Sequence, residues 1–244
     1  MKLLPRILAI GLFLTAAGWT QNLGSQPARF LPGGAEKDPP TLESVLKQMD
    51  TSAATFHSAQ AIVVWDQYTR VVDETDTEKG KIYFRRHDHD IQMATDITEP
   101  DKKYVLYTNG KVQLYQPKID QVTEYNTGKK RSDIDSFLVL GFGGGGHDLL
   151  KSYSVKFAGT EKIGDVQTAK LELTPKSQSV LNSIAKIVLW IDPAQGISLQ
   201  QQFFQPSGDY RLAKYSDIQM NEKISDDVFK LKTTGKTKVV SPQG

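Results

Sequence analysis

The stretch YVLYTNGKVQLYQPKIDQVTEY, residues 104–125, decides the fold class that we expect for this chain. Apolar and polar residues alternate along it with a period of two, which predicts short strands joined by turns. Asn109 and Gly110 both tolerate positive φ, so the pair predicts a two-residue hairpin turn. That turn sets the register and places four apolar side chains on one face. They are Tyr107 opposite Val112, and Val105 opposite Leu114.

The same period of two begins near residue 58 and resumes near residue 153, and it predicts about eleven successive strands. Their connections are short, which predicts antiparallel pairing, and no helix-crossover rhythm suggests a parallel α/β sheet. Several further strands also place apolar side chains on a single face. These side chains are Val63 and Trp65; Ile82 and Phe84; Ala169, Leu171 and Leu173; and Ala185, Ile187, Leu189 and Ile191.

Two segments depart from this period. Thr41 predicts the cap of an amphipathic helix over residues 41–56, with Leu42, Val45, Leu46, Met49 and Phe56 at helical spacing. Residues 132–153 predict one or two short helices around a glycine run. A long antiparallel sheet with a few short helices is an α+β fold. Its apolar face is either an ordinary core that the helices cover, which the pattern alone favours, or a partly vacant surface that accepts a ligand.

The N-terminal residues MKLLPRILAIGLFLTAAGWTQ have the three parts of a secretory signal. Lys2 and Arg6 form the basic part, and the apolar run that follows is too short for a comfortable membrane span. We therefore expect a signal peptide over residues 1–18, which is cleaved on export. A flexible leader rich in Pro and Gly follows over residues 19–40, and a single domain spans residues 41–244.

Composition excludes several classes of function. The chain has no cysteine, so it has no disulfide, no Cys-ligated metal and no thiol nucleophile. Without Lys2 and Arg6 the 30 basic residues fall to 28, which equals the 28 acidic residues. This balance argues against nucleic acid as a partner. No G-x-S-x-G motif is present, and we expect no catalytic residue, no cofactor and a monomer.

Two short motifs resemble known sites but lack the necessary context. HDHD, residues 87–90, offers His87 and His89 to zinc, yet a catalytic zinc site usually needs three protein ligands and a polar turn explains the run. GFGGGG, residues 141–146, satisfies G-x-G-x-x-G, but no strand precedes it and no βαβ unit surrounds it. We therefore expect no metal, and we interpret the glycine run as a hinge or flexible loop.

An ordered set of motifs resembles the LolA-like periplasmic outer-membrane lipoprotein carriers. After the signal peptide and the amphipathic helix come GKIYFRR, LYTNGKVQLYQPKIDQ, LELTPK and YSDIQMNEKISDDVFKL, so that the resemblance covers about residues 41–240. The resemblance implies a strongly curved, unclosed antiparallel sheet, a half-barrel of about eleven strands. A lid of short helices would cover its apolar cavity, with the lid formed by the helices around 41–56 and 132–152.

The resemblance also implies that the apolar face binds the acyl chains of lipoproteins. The candidate lipid-binding residues are Val63, Trp65, Ile82, Phe84, Val105, Tyr107, Val112, Leu114, Leu171 and Leu173. The candidate apolar side chains of the lid are Leu138, Leu140 and Phe142. An arginine ties the lid shut in the family, and either Arg85 or Arg86 matches it, although His87 follows where the family has Pro. Strand parity favours Arg86 as this lid-lock, and the alternative is a surface arginine at a strand end.

The function implied is that of a soluble periplasmic carrier, which passes lipoprotein acyl chains towards the outer membrane without catalysis. Its partners by resemblance are an inner-membrane release complex and an outer-membrane acceptor. Two alternatives stay open. One is a lipid sensor or interaction module of envelope regulation, and the other is a carrier of a different lipid.

Overall fold

The structure, a computed structural model, describes residues 39–87, 90–128, 131 and 137–241. The predicted signal peptide, most of the leader, and Asp88 and His89 of the HDHD motif lie outside these residues. Across the described ranges, no helix is long and apolar enough to cross a membrane. The same ranges contain no group of three or more His, Cys, Asp or Glu side chains that could hold a metal ion.

The described part of the chain is mostly strand. Its helices are α1 (Leu42–Ala54), α2 (Gly146–Ser152) and α3 (Gln178–Leu181), with short 3-10 helices at Pro117–Ile119 and Asp226–Phe229. Its first six strands are β1 (Ser58–Thr69), β2 (Glu74–His87), β3 (Asp90–Glu99), β4 (Lys103–Thr108), β5 (Lys111–Gln116) and β6 (Gln121–Asn126). The other six are β7 (Tyr153–Ile163), β8 (Val166–Pro175), β9 (Lys186–Asp192), β10 (Ile197–Phe204), β11 (Tyr210–Met220) and β12 (Lys238–Val240).

All twelve strands form one sheet in the order β12-β6-β5-β4-β3-β2-β1-β11-β10-β9-β8-β7. Because β12 and β7 lie at opposite edges, the sheet is unclosed. The predicted fold class, an unclosed antiparallel sheet with few short helices, is confirmed. The predicted count of eleven strands misses β12, which has three residues and is too short to show a period of two. It pairs with β6 in parallel, whereas every other pair is antiparallel.

The local predictions for the first hairpin and for the start of the first helix are confirmed, whereas the helix ends at Ala54 and leaves Phe56, which was expected on it, outside. In the β4–β5 hairpin Tyr107 pairs with Val112 and Val105 pairs with Leu114, and Asn109 and Gly110 both have positive φ. Thr41 caps α1 through a reciprocal capping box with Ser44, which satisfies backbone N–H groups that the helix itself leaves unpaired. Local geometry of this kind depends on few residues and is therefore visible in the sequence.

One face of the sheet, which we call the inner face, packs against α1 and residues 137–146. We call these two pieces of chain, with Phe56 after the end of α1, the covering segments. The buried inner-face residues under α1 are Ala169, Leu171, Leu173, Ile187, Leu189 and Ile191. Those that pack with Phe56 and Phe142 are Ala59, Ala61, Val63, Ile82 and Phe84.

The opposite, outer face of β2–β4 is covered by residues 221–240, which we call the C-terminal segment. Asn221, at φ 61, turns the chain out of β11, and its N–H donates to Ser58 O at 2.8 Å. Phe229 then packs in a cluster with Ala94 and Leu106 of the outer face. The segment ends as β12, so both faces of this part of the sheet carry packed chain.

Candidate functional site

The candidate site is the inner face where the covering segments meet it. The ring of Phe142 stacks on Phe84 with a centroid distance of 5.5 Å and an interplanar angle of 17°. It also meets Tyr215 edge-on at 4.9 Å and 89°. Phe56 and Phe142 are both fully buried. Two aromatic side chains of the covering segments therefore occupy apolar surface that the sheet itself provides.

The glycine run beside Phe142 is packed closely against its surroundings. Gly143 has φ +81, and a Cβ there would lie 2.3 Å from the Phe56 ring. Gly141 has φ +80, and a Cβ there would lie 2.2 Å from the Cβ of Ser198. Side chains would therefore both strain the backbone and collide. This close approach accounts for the glycines physically, where the sequence suggested a hinge or flexible loop.

Residues 140 and 141 are tied to β10 by hydrogen bonds. The Gln201 amide donates to Leu140 O, and the backbone N–H of Ser198 donates to Gly141 O at 2.9 Å. Tyr215 in turn donates its hydroxyl to Gln201 Oε1 at 3.3 Å, and burial raises the pKa of Tyr215 so that it keeps this proton. Sequence reasoning missed Gln201. The signal was a polar residue at an inner-face position, two residues before Phe203.

Arg86 connects the sheet to both covering segments. Its Nη1 donates to Ala53 O at 3.4 Å, near the C-terminal end of α1, and its Nη2 donates to Gly143 O at 3.1 Å. Its guanidinium also lies 5.5 Å from the ring centroid of Phe56. Ala53 O also accepts the backbone N–H of Phe56 at 3.3 Å, and the C-terminal end of a helix favours a cation because it is the negative end of the helix dipole. We call this arrangement the Arg86 clamp.

Arg85 points to the other side of the sheet. It donates to Asp226 at 2.5 Å and to Gln92, and its guanidinium lies 4.2 Å above the ring of Phe229. Arg85 thus holds the C-terminal segment, and only Arg86 of the two contacts the covering segments. A substitution of Arg85 would therefore disturb the packing of the C-terminal segment on the outer face.

A second polar contact joins the two helices above the inner face. The imidazole Nδ1 of His147 in α2 bonds to the carboxylate of Asp50 in α1, and its Nε2 lies 3.4 Å from Glu43 Oε1. The hydrogen bond to Asp50 raises the pKa of His147 above its usual range. Protonated His147 therefore links α1 and α2 more strongly than the neutral form does.

The candidate lipid-binding residues fall into two groups by burial. Leu171 and Leu173 are fully buried under α1, and Tyr107 is also buried. Val63, Ile82 and Phe84 are buried in the cluster with Phe56 and Phe142. The half-buried members are Trp65, Val105, Val112 and Leu114. Of the candidate lid side chains, Leu140 and Phe142 are buried and Leu138 is half-buried.

The chain is similar to known proteins in sequence and in fold. The sequence profile of the family described as outer membrane lipoprotein carrier protein LolA matches residues 63–232. An outer-membrane lipoprotein carrier protein of Idiomarina loihiensis is 26% identical over 198 residues, which cover 80% of this chain and 84% of that protein.

Two solved structures share the fold at low sequence identity. A conserved protein of Thermus thermophilus aligns with a TM-score of 0.52 and 13% identity over 82% of this chain and 98% of its own. MucB aligns with a TM-score of 0.50 and 13% identity over 82% of this chain and 65% of its own. On the extent of the family match, this chain belongs to the LolA family of outer membrane lipoprotein carrier proteins.

Proposed function

We propose that this protein is a periplasmic carrier, which binds the acyl chains of lipoproteins on its inner face and passes them towards the outer membrane. The observation that carries the proposal is the Arg86 clamp. It joins both covering segments to the edge of an apolar surface through two hydrogen bonds to backbone carbonyls. Such a contact can open without unfolding the sheet. The function of the relative from Idiomarina loihiensis supports the same proposal.

In the proposed cycle an acyl chain replaces the aromatic side chains of the covering segments. Phe56 and Phe142 leave the surface around Phe84 and Tyr215, and the chain takes their place. Burying one aromatic side chain contributes roughly 1.5–3 kcal/mol, whereas an acyl chain of ~15 methylenes gains about 12 kcal/mol if it is fully buried. Because apolar contacts are exchanged, the net affinity falls below the gross value, and release to an acceptor stays possible.

The clamp sets how strongly the closed form competes with cargo. Charge-assisted hydrogen bonds contribute ~1.5–3 kcal/mol, and Arg86 is exposed, so solvent screening places this contact near the lower end. Loss of the clamp should therefore favour the open, binding form by about tenfold. A more stable complex with cargo should release it more slowly.

The test is titration of the full chain with a fluorescent fatty-acyl probe, followed by transfer of the probe to acceptor vesicles. We expect saturable binding by the wild type. Arg86→Leu should bind the probe as tightly or more tightly and transfer it more slowly. Arg86→Lys should behave in an intermediate way, because an ammonium group cannot span two carbonyls as a guanidinium fork does.

The matched control is Lys81→Leu, which removes an exposed cation from β2 at an outer-face position. It should leave both binding and transfer unchanged. Absence of saturable binding by well-folded wild-type protein would overturn the carrier proposal. Normal transfer by Arg86→Leu would leave the carrier proposal standing but remove the role of the clamp. Tight binding by the wild type with no transfer to vesicles would favour a lipid sensor instead.

A further inference from the structure

The inner face carries a second arginine, far from the clamp. Arg211 of β11 pairs in register with Gln67 of β1 and with Phe203 of β10. Its guanidinium lies 4.4 Å from the ring centroid of Trp65, which packs against the cluster around Val63. Arg211 therefore stands on the same face as the candidate lipid-binding residues, at the Trp65 end of β1.

Arg211 differs from the other arginines in its hydrogen bonding. Within the described ranges the chain has five arginines, and four of them donate to an acceptor. The pairs are Arg70 with Ser207 O, Arg85 with Asp226, Arg86 with Gly143 O, and Arg131 with Asp90. Arg211 donates to no protein acceptor in this part of the chain, although it is exposed and close to an aromatic ring.

Acidic side chains share this end of the inner face with Arg211, but within the described ranges none of them forms an ion pair with it. Glu78 of β2 is the carboxylate at the Trp65 level of the inner face, since it pairs in register with Trp65. It already accepts a hydrogen bond from Lys103 of β4. Asp76 of β2 lies in the same row as Arg211, because both residues pair in register with Gln67, so the carboxylates of Glu78 and Asp76 equal Lys103 and Arg211 in number. The site therefore depends on the hydrogen bonds that Arg211 can donate and not on a surplus of positive charge.

Contact with Trp65 restricts the conformations of the Arg211 side chain before a ligand binds. A guanidinium over an indole ring gains a cation–π attraction, which limits the number of orientations that the long side chain samples. Its N–H groups form a planar fork that matches a carboxylate or a phosphate with two parallel hydrogen bonds. A lysine at this position would offer a point charge without that geometry.

We propose that Arg211 binds the anionic group of an amphiphilic lipid, a carboxylate or a phosphate, while the acyl chain lies along the inner face. This inference rests on the proposed binding of acyl chains to the inner face, and it adds an anionic group to the chemical class of the ligand. From Trp65 the inner-face positions Val63, Ala61 and Ala59 lead towards the Arg86 clamp. At ~3.3 Å per residue they span about 20 Å, which suits a long acyl chain.

The experiment compares three fluorescent probes that carry the same acyl chain. One is a fatty acid, the second is its uncharged methyl ester, and the third is a lysophosphatidic acid. Binding to the full chain is titrated at a pH well above the pKa of a carboxyl group, so that the acid is ionised. The comparison is made with the wild type, with Arg211→Gln, and with Lys214→Gln, which removes a cation on the same strand that pairs with Asp66 at an outer-face position.

We expect the wild type and Lys214→Gln to bind at least one anionic probe about tenfold more tightly than the ester, since a hydrogen-bonded ion pair contributes on this scale. Arg211→Gln should lose this preference and bind the ester normally. The more strongly preferred anionic probe identifies carboxylate or phosphate as the group recognised. Thermal unfolding followed by circular dichroism verifies that each variant folds.

Two outcomes would overturn the inference while leaving the carrier function intact. One is equal affinity of the wild type for the ester and both anionic probes, and the other is a preference that survives in Arg211→Gln. A third outcome is different in kind. If folded wild-type protein binds none of the three probes, the proposed carrier function is wrong, and so is the proposed anion site.

Discussion

The two ends of the sheet's inner face have similar apolar side chains but different surroundings. On β8 and β9 these side chains are fully buried against α1: Leu171, Leu173, Ile187, Leu189 and Ile191. On β3–β5 many are only half-buried: Ile91, Met93, Val105, Val112 and Leu114. We call the first set the α1-covered half and the second the half-open half.

The two halves show that an apolar strand face is not by itself a binding surface. In the α1-covered half, Val45, Leu46 and Met49 of α1 fill the space above the strands, so these side chains act as the core of the domain. In the half-open half the side chains keep solvent contact that a ligand would remove. We therefore expect the first half to determine stability, and the second half, together with the adjacent β1 and β2 under Phe56 and Phe142, to determine lipid binding.

The sharpest test of this comparison introduces one charge into each half. Leu171→Glu places a carboxylate in a fully buried position without a partner and should prevent stable folding, because burying an unpaired charge costs several kcal/mol or more. Leu114→Glu lies at a half-buried position and should fold, yet it should abolish binding of the fatty-acyl probe. Circular dichroism and probe titration measure the two effects, and similar behaviour of the two variants would contradict the division.

The packing of the covering segments is tested with two glycines of positive φ. Gly143→Ala adds a methyl group against the Phe56 ring as well as backbone strain, and should lower the free energy of unfolding by about 2–3 kcal/mol. Gly128→Ala has φ +50 and open space around the added methyl group, so about 1 kcal/mol of strain is expected. Urea denaturation measures the free energy of unfolding of both variants and of the wild type. Equal losses would show that strain alone acts and that the contact with Phe56 is unimportant.

Rates of amide hydrogen exchange, measured with and without ligand, show which half of the inner face responds to binding. With the fatty-acyl probe at ten times its Kd, amides that open only in the free protein should exchange about tenfold more slowly. We expect this slowing in β1–β5 and in residues 137–146, with little change in β8 and β9. Uniform slowing across all these strands would instead indicate global stabilisation and would erase the distinction between the halves.

The smallest expected effect concerns pH and the contact between α1 and α2. Because the folded-state pKa of His147 is raised, its contribution to stability is complete below the pKa of the unfolded state, about 6.5, and is lost as pH rises through the folded-state value. The midpoint temperature of thermal unfolding of the wild type should therefore fall slightly as the pH rises through this range. His147→Gln should remove that part of the pH dependence, and an unchanged pH profile in the variant would exclude His147 as its source.

Much of the architecture was visible from the sequence, and the candidate site only in outline. The alternation of apolar residues predicted the antiparallel sheet, and strand parity placed Ile82, Phe84 and Arg86 on one face. The degree of burial was not predictable, because alternation shows which side chains share a face and not what packs on that face. Leu171 and Leu114 both lie in strands with alternating apolar residues, but α1 packs over Leu171 and leaves Leu114 half-buried.

Geometry that a few neighbouring residues fix can be predicted from the sequence alone. Asn109 and Gly110 set a hairpin register through their positive φ, and Thr41 with Ser44 sets the start of α1. The other features depend on contacts between residues far apart in the chain, and these contacts form only in the folded protein. Gly143 must be small because Phe56 lies against it, and Arg86 bonds to carbonyls of two distant segments. The parallel pairing of β12 with β6 likewise joins residues that are more than a hundred positions apart. Periodicity carries no information about such pairs, since it reports the environment of a strand and not the identity of its neighbour.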